Sequence, residues 1–431
     1  MADVLGRAGA WCGQNKYLSA IKNAFQNFMP LTIAGAIGVL WCNVLVNDQT
    51  GLGLFFKPIM ALDFLNPAFQ AVNFCTISCI TVGITLGIAQ EIGVWNMGAE
   101  RAGYIPGLVG LAAWLSVTNT SHMVEGAKEA FTGIAGNELG ATGLFTGMII
   151  GVLSVELFCF FEKQDALKIK MPEQVPPGVA RAFEVLVPAT ITLIITACIG
   201  SACYNLTGLY LNDVIKNGIQ GPLGAVGATI PGVMIIYLVI MLFWLVGIHG
   251  NNMLSAVKEA LFTPLALENV EKFNKGEKPT NIINMYALQM WGEFGGSGVT
   301  IGLVIAIMIF GKREDNKAIA TLSLVPGLFN INETVTFGVP MVLNPILGIP
   351  FVVAPLITII IGYVLTVIGF CPVACLTVPW TTPPIVFGFL ACGANVMGAV
   401  TQAILIVVST VIYVPFLISY EKYQNKQAAE A

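Results

Sequence analysis

The sequence predicts an all-α polytopic membrane protein of about ten transmembrane helices, with re-entrant or broken helices in its C-terminal half. Three observations predict it. Hydrophobic residues make up 56% of the 431 residues and charged residues only 10%, and the mean hydropathy is +0.80. That balance leaves too little polar surface to cover a soluble globule of this size. Apolar stretches close to the roughly 20 residues that cross a bilayer core recur through the first half. In the second half they are interrupted by glycine, proline and asparagine, a pattern that lipid tolerates only where protein or a water cavity covers the opened backbone.

Taking the elements in order, residues 1–27 carry Arg7, Lys16 and Lys22 among Leu5, Tyr17, Leu18, Ile21 and Phe25. With no apolar core and no small-residue cleavage site, this reads as an amphipathic helix on the membrane surface rather than a signal peptide. Candidate spans follow near 28–46, 69–89, 104–118, 139–161, 183–206 and 227–247. With the N-terminus inside, eight Lys and Arg (Arg7, Lys16, Lys22, Arg101, Lys163, Lys168, Lys170, Arg181) fall on the cytoplasmic side and three (Lys57, Lys128, Lys216) outside. That bias sets the orientation, with both termini cytoplasmic. Between the fifth and sixth spans, Asn212, Asp213, Lys216, Asn217 and Gln220 alternate with Leu209, Leu211, Val214 and Ile215, which reads as an interfacial amphipathic helix.

Lys272, Lys275 and Lys278, then Lys312, Arg313 and Lys317, bracket residues 279–311, whose middle holds Gly292, Gly295, Gly296 and Gly298. If both brackets are cytoplasmic, this stretch enters and returns, as two short helices or as a re-entrant hairpin broken at the glycines. Pro326, Asn330, Asn332, Glu333, Pro340 and Asn344 break 318–345, and Pro372, Pro379, Pro383 and Pro384 break 371–392. Full spans near 346–370 and 394–419 surround the second break, and Lys422 and Lys426 return the chain to the cytoplasm. The expected organisation is an N-terminal membrane half at 1–206, an amphipathic linker at 207–226, a C-terminal half at 227–420 and a tail at 421–431.

Some classes are excluded. A sequence pI near 5.3 and the lack of a long Lys/Arg run give no footing for nucleic acid. Cys42, Cys75, Cys79, Cys159, Cys198 and Cys203 sit in apolar stretches, where thiols pack as small hydrophobes. With two histidines in the chain, Cys371 and Cys375 do not complete a usual zinc set, so no metal and no other cofactor is expected.

Between Lys317 and Glu421 the one formal charge in 103 residues is Glu333, in GLFNINETVTFG. A carboxylate inside membrane segments costs a few kcal/mol and marks a substrate or ion route; the alternative is a carboxyl that caps broken helix ends. His249, in WLVGIHGNN at the end of an apolar span, can exchange protons and hydrogen bonds near neutral pH, or be a bonded loop residue. Trp380, in TVPWTTPP, reads either as an interfacial anchor or as a flat apolar face for a sugar ring. Asn330 and Asn332 offer carboxamides that suit sugar hydroxyls, and Glu293 with the GGSG run from Gly295 offers exposed backbone donors; these groups could equally satisfy broken helix ends. His122, near Glu125, Lys128 and Glu129, reads as a solvated residue of an outside loop.

Together, GIHGNN from Gly247, GGSGVTIGL from Gly295, GLFNINETVTFGVPMVLNP from Gly327 and VPWTTPP from Val378 resemble enzyme IIC, the membrane component of the lactose/cellobiose/diacetylchitobiose branch of the bacterial phosphotransferase system. KNAFQNFMPLTIAGAI from Lys22 and LGATGLFTGMI from Leu139 extend the resemblance over most of the chain. It implies a homodimer in the lipid membrane, with the N-terminal half as scaffold and the C-terminal half carrying a β-linked disaccharide of the cellobiose or diacetylchitobiose type. It further implies that Glu333 and His249 stand by the sugar 6-hydroxyl, that the Trp380 indole lies against the ring, and that a phosphocysteine on a separate enzyme IIB, charged through IIA, phosphorylates that hydroxyl. The chain would then be the membrane component of a phosphoenolpyruvate-dependent sugar phosphotransferase whose donor residue lies elsewhere. An ion-coupled secondary sugar transporter would use the same broken helices and lone carboxylate differently. An intramembrane enzyme fits less well, because it would need a metal triad or a nucleophile with a paired base.

Overall fold

A computed structural model describes residues 11, 14–48, 52–122, 131–172, 174–222 and 227–430. Leu5 and Arg7 of the N-terminal stretch, and Glu125, Lys128 and Glu129 of the loop after His122, lie outside these residues. Among the described residues, six helices are long and apolar enough to cross a membrane, and the shorter apolar helices Ile105–Val117, Ile230–Leu245 and Ile301–Phe310 accompany them. The chain divides into two compact units, one of Gln14–Gly35 with Val72–Gly224, the other containing Ala36–Ala71 and Ala225–Ala431. The sequence placed residues 36–71 with the N-terminal half. They group with the later residues, and there Asn43 Nδ2 donates to Asn274 Oδ1 at 3.1 Å.

In the first unit the principal helices are α1 (Lys16–Leu40), α2 (Ile80–Met97), α3 (Ile105–Val117), α4 (Ala141–Glu162) and α5 (Pro177–Thr207). The expected surface helix over 1–27 is not separate from the first span among the described residues, because Lys16 to Leu40 is one helix. Lys16 is drawn inward by Glu156 at 2.5 Å. Helices α2, α3 and α4 pack mutually, and α5 packs on α3 and α4. At one end, Glu162, whose side chain is 3% exposed, pairs with Arg101 at 2.8 Å and Arg181 at 2.9 Å; both arginines also reach Glu184. The region after α5 departs from an interfacial amphipathic helix. Leu211–Ile215 is a short helix whose Asn212 is buried, its Oδ1 accepting the Thr146 hydroxyl at 2.5 Å. A polar side chain that helical spacing aimed at solvent instead satisfies a hydroxyl on α4. His122 is half-buried, pairs in a two-residue strand with Phe131, and has its Nε2 3.2 Å from the Asn119 carbonyl.

The second unit carries α6 (Ile230–Leu245), α7 (Ser255–Asn274), α8 (Met285–Gly292), α9 (Ile301–Phe310), α10 (Glu314–Leu328), α11 (Glu333–Gly338), α12 (Gly348–Val367), α13 (Val386–Ala391) and α14 (Val396–Glu430). Helix α14 shows which solvent the chain is built for. Gly398, Thr401, Gln402, Leu405, Ser409, Tyr413, Leu417 and Glu421 recur at three- and four-residue spacing on its buried side, while Val400, Ile404, Val407, Val411 and Ile418 face outward. Polar groups inside and branched aliphatics outside is the pattern set by lipid, where a hydroxyl or amide finds partners only within the protein. The helix runs on to Glu430, so residues 421–430 are not a separate tail. Glu421 is buried, and its carboxylate accepts the Lys312 N–H at 2.9 Å, the Arg313 N–H at 3.3 Å and Asn316 Nδ2 at 3.1 Å, which satisfies free donors where α10 begins.

The stretch 279–311 forms two short helices, α8 and α9, joined at residues 293–300. Gly298 has φ +81°, and a Cβ there would lie 2.2 Å from Phe351 Cδ2; its carbonyl accepts the Tyr413 hydroxyl at 2.8 Å. The glycine is therefore required both by backbone conformation and by the ring against it. The breaks expected within 318–345 and 371–392 fall at 329–332 and 368–385, and Trp244, Trp291, Phe262, Phe294, Phe351 and Tyr413 fill the core they surround.

Candidate functional site

Four interruptions, after α6, between α8 and α9, between α10 and α11 and before α13, converge on one cavity of about 570 Å³ in the second unit, lined by residues including His249, Glu293, Asn330, Asn332, Glu333 and Trp380. All six residues singled out from the sequence thus line the same space.

His249 arrives there because α6 ends at Leu245 and the chain turns through Gly247, whose φ is +81°. The imidazole caps the short helix Gly250–Met253, its Nδ1 accepting the Asn252 N–H at 3.2 Å. Nδ1 as acceptor leaves the proton of the neutral ring on Nε2. The Trp244 ring lies against the imidazole with centroids 4.4 Å apart. Glu333 opens α11 on the far side of the break after α10, and its Oε1 stands 3.7 Å from His249 Nε2. Its side chain is 47% exposed, and among the described residues the carboxylate accepts no hydrogen bond. A capping carboxyl would be engaged by backbone N–H groups; this one is open to the cavity.

The two asparagines are committed elsewhere. Asn330, at φ +63°, accepts the Gly295 N–H at 2.7 Å and donates to the carbonyls of Trp380 at 2.5 Å and Thr382 at 3.0 Å. It ties the α8–α9 turn to the proline-rich segment that carries Trp380. Asn332 is buried and donates to the Ser297 carbonyl at 3.1 Å and the Thr336 hydroxyl at 3.0 Å. Their amide donors satisfy broken helix ends, the other use the sequence left open. The GGSG run is buried rather than exposed, because the same asparagines and Phe351 cover it. Trp380 is 45% exposed and lines the cavity.

Glu293 is paired: its Oε1 accepts the Tyr237 hydroxyl at 2.7 Å and the Lys258 ammonium. Lys258 also donates to Asn251 Oδ1 at 3.1 Å, and Asn251 Nδ2 donates to Ser297 Oγ at 2.9 Å. Lys258, Asn251, Ser297, Gln289 and Gln402 all line the cavity and were missed in the sequence. Lys258 had one signal, a cation nine residues after His249 with an apolar flank. Gln402 had none, being one amide in a long apolar span; its Oε1 accepts the N–H groups of Ile385 at 2.7 Å and Gly388 at 2.8 Å. That holds Ile385 at φ +77°, a conformation costly for a β-branched residue and kept only where surroundings impose it.

The arrangement offers a carboxylate free to accept a proton, a neutral imidazole N–H beside it, an aromatic face and a buried cation, all around a space in the roughly 300–1,000 Å³ range of small-molecule sites.

A family model described as "Phosphotransferase system, EIIC" matches residues 22–355. The oligo-beta-mannoside-specific EIIC component of Bacillus subtilis (strain 168) is 33% identical over 413 residues, covering 95% of this chain and 90% of that protein. The cellobiose-specific EIIC component of Lactococcus lactis subsp. lactis (strain IL1403) is 30% identical over 486 residues, covering 99% and 98%. Among solved structures, the transporter ChbC, the IIC component from the N,N'-diacetylchitobiose-specific phosphotransferase system, is similar with a TM-score of 0.88 at 29% identity, covering 97% of each chain.

Proposed function

This chain belongs to the phosphotransferase system EIIC family, and from that premise we propose that it translocates a β-linked disaccharide and presents the sugar 6-hydroxyl to the phosphocysteine of a separate enzyme IIB. It is a membrane-embedded sugar permease of the cellobiose/lactose/chitobiose type, and such components take a sugar and work with IIB and IIA partners. The finer reading is cellobiose or diacetylchitobiose as cargo, a homodimer with the N-terminal half as scaffold, and both termini in the cytoplasm.

The observation that carries it is the His249–Glu333 pair, 3.7 Å apart at the cavity that Trp380 also lines. A separation too long for a direct hydrogen bond suits a hydroxyl held between an N–H donor and a carboxylate acceptor. In the transfer, the sugar oxygen forms a bond to phosphorus and its proton passes to Glu333. The phosphorus–sulfur bond breaks with its electron pair remaining on the IIB cysteine. Such reactions depend on positioning and on offsetting charge. The Trp380 indole supplies the apolar face for a pyranose ring, while Asn330 holds the segment bearing it and Asn332 the adjoining turn.

The test is uptake of radiolabelled cellobiose and diacetylchitobiose by cells carrying this chain with its IIA and IIB partners, with and without protonophore, in wild type and Glu333→Gln. Intracellular 6-phosphosugar that persists without a proton gradient and disappears in the variant is the expected result. Free sugar that vanishes with the gradient would overturn the reading in favour of ion-coupled transport.

A further inference from the structure

Lys258 is the only Lys or Arg among the described residues lining the cavity. Its side chain is 7% exposed, and its ammonium is held by Glu293 and by Asn251 with the Tyr237 ring centroid 5.5 Å away, which leaves one of its three N–H donors without a hydrogen-bond acceptor among the described residues. As a stability device the pair is a poor choice, since a buried ion pair is commonly matched or bettered by apolar residues of the same volume. Its placement points to charge management instead. Lys258, Glu293, Glu333 and His249 all line the same cavity. With that ring neutral, the two carboxylates and one ammonium leave the cavity with an excess negative charge. A phosphoryl group entering beside Glu333 adds roughly −1.5 to −2 more, and carboxylates alone would repel it. Phosphoryl transfer in a water-poor site needs a fixed cation where that charge develops.

We propose that Lys258 is the cation that offsets the charge of the transferring phosphoryl group, with Asn251 and Glu293 holding its ammonium beside the cavity before the group arrives. The proposal rests on the group-translocation reading above and adds a residue to it. Lys258 neither gives nor takes a proton in the step: the hydroxyl proton goes to Glu333 and the electron pair to the cysteine sulfur. Its free N–H turns to a phosphoryl oxygen, and Glu293 keeps its bond from Tyr237.

The experiment compares equilibrium binding of radiolabelled sugar with single-turnover formation of sugar phosphate, using the full chain in liposomes and phosphorylated IIB. The sugar is cellobiose or N,N'-diacetylchitobiose, whichever the wild type binds. The informative variant is Lys258→Met combined with Glu293→Gln, which removes both charges and so leaves no buried carboxylate unpaired. Sugar affinity is expected within about threefold of wild type, with transfer slowed about 100-fold or more. Glu293→Gln alone keeps the cation but removes its counter-charge, so its transfer rate is compared at equal sugar occupancy of folded protein, where it is expected to fall less than about tenfold. A double variant that transfers within about threefold of wild type would overturn the proposal, as would parallel losses of binding and transfer, which mark a structural role. Wild type that binds sugar yet forms no sugar phosphate would remove the underlying reading and the proposal with it.

Discussion

Nε2 of His249 stands 3.7 Å from Oε1 of Glu333, and the other nitrogen of the same ring accepts the Asn252 N–H. One imidazole therefore performs two tasks. It caps the start of the helix Gly250–Met253 with Nδ1, and by doing so it fixes which nitrogen points a proton toward the carboxylate.

These tasks separate by substitution. His249→Ala loses both the cap and the Nε2 donor, whereas His249→Asn keeps an oxygen that can cap. The alanine variant is expected to be less stable than the asparagine variant by about 1 kcal/mol, and both should form sugar phosphate at least about 100-fold more slowly than wild type. Thermal unfolding in detergent and single-turnover transfer read the two effects independently.

Asn330 is expected to govern sugar affinity without touching the sugar. Asn330→Gly accepts φ +63° but deletes the three hydrogen bonds to Gly295, Trp380 and Thr382. Asn330→Ala deletes them and adds roughly 1–2 kcal/mol of left-handed backbone cost. Both should weaken sugar binding, because the segment that presents Trp380 is released, and alanine should unfold at the lower temperature. Equilibrium binding and a thermal melt check this; a glycine variant with unchanged affinity would rule out the clamp.

In the first unit, Glu162 joins Arg101 and Arg181 with a side chain 3% exposed. Glu162→Gln leaves Arg181 and Arg101 to share Glu184, so the cost falls below the about 3–5 kcal/mol of a fully unpaired buried charge. Arg101, nearly half exposed, contributes less because solvent screens it. The expected outcome is a clear drop in melting temperature and in yield of folded protein, read by fluorescence-detected size exclusion. A variant that melts like wild type would show the Glu162 ion pairs to be dispensable.

Much of this architecture was legible before any coordinates. Apolar length located the spans now seen as Ala141–Glu162, Pro177–Thr207 and Gly348–Val367, and the glycines at 292–298 and prolines at 372–384 located the breaks. Glu333, His249 and Trp380 stood out because each is chemically unusual for its surroundings. What misled was the assumption that polar residues in a connecting segment face solvent: Asn212 is buried against Thr146, and the helix begun at Val396 absorbs the expected tail.

By itself the sequence determined the solvent of this protein, the places where its helices break and the residues that carry unusual chemistry, because hydropathy, glycine and proline act locally and are read along the chain. Only the tertiary structure decided which of those polar groups are free. Lys258 meets Glu293 across 35 positions and Asn330 meets Trp380 across 50, and a hydrogen bond or ion pair between distant residues leaves no periodic trace in either segment. In lipid a buried backbone group must find its partner within the protein. The groups left unengaged, Glu333 above all, therefore become visible only after the others have been paired.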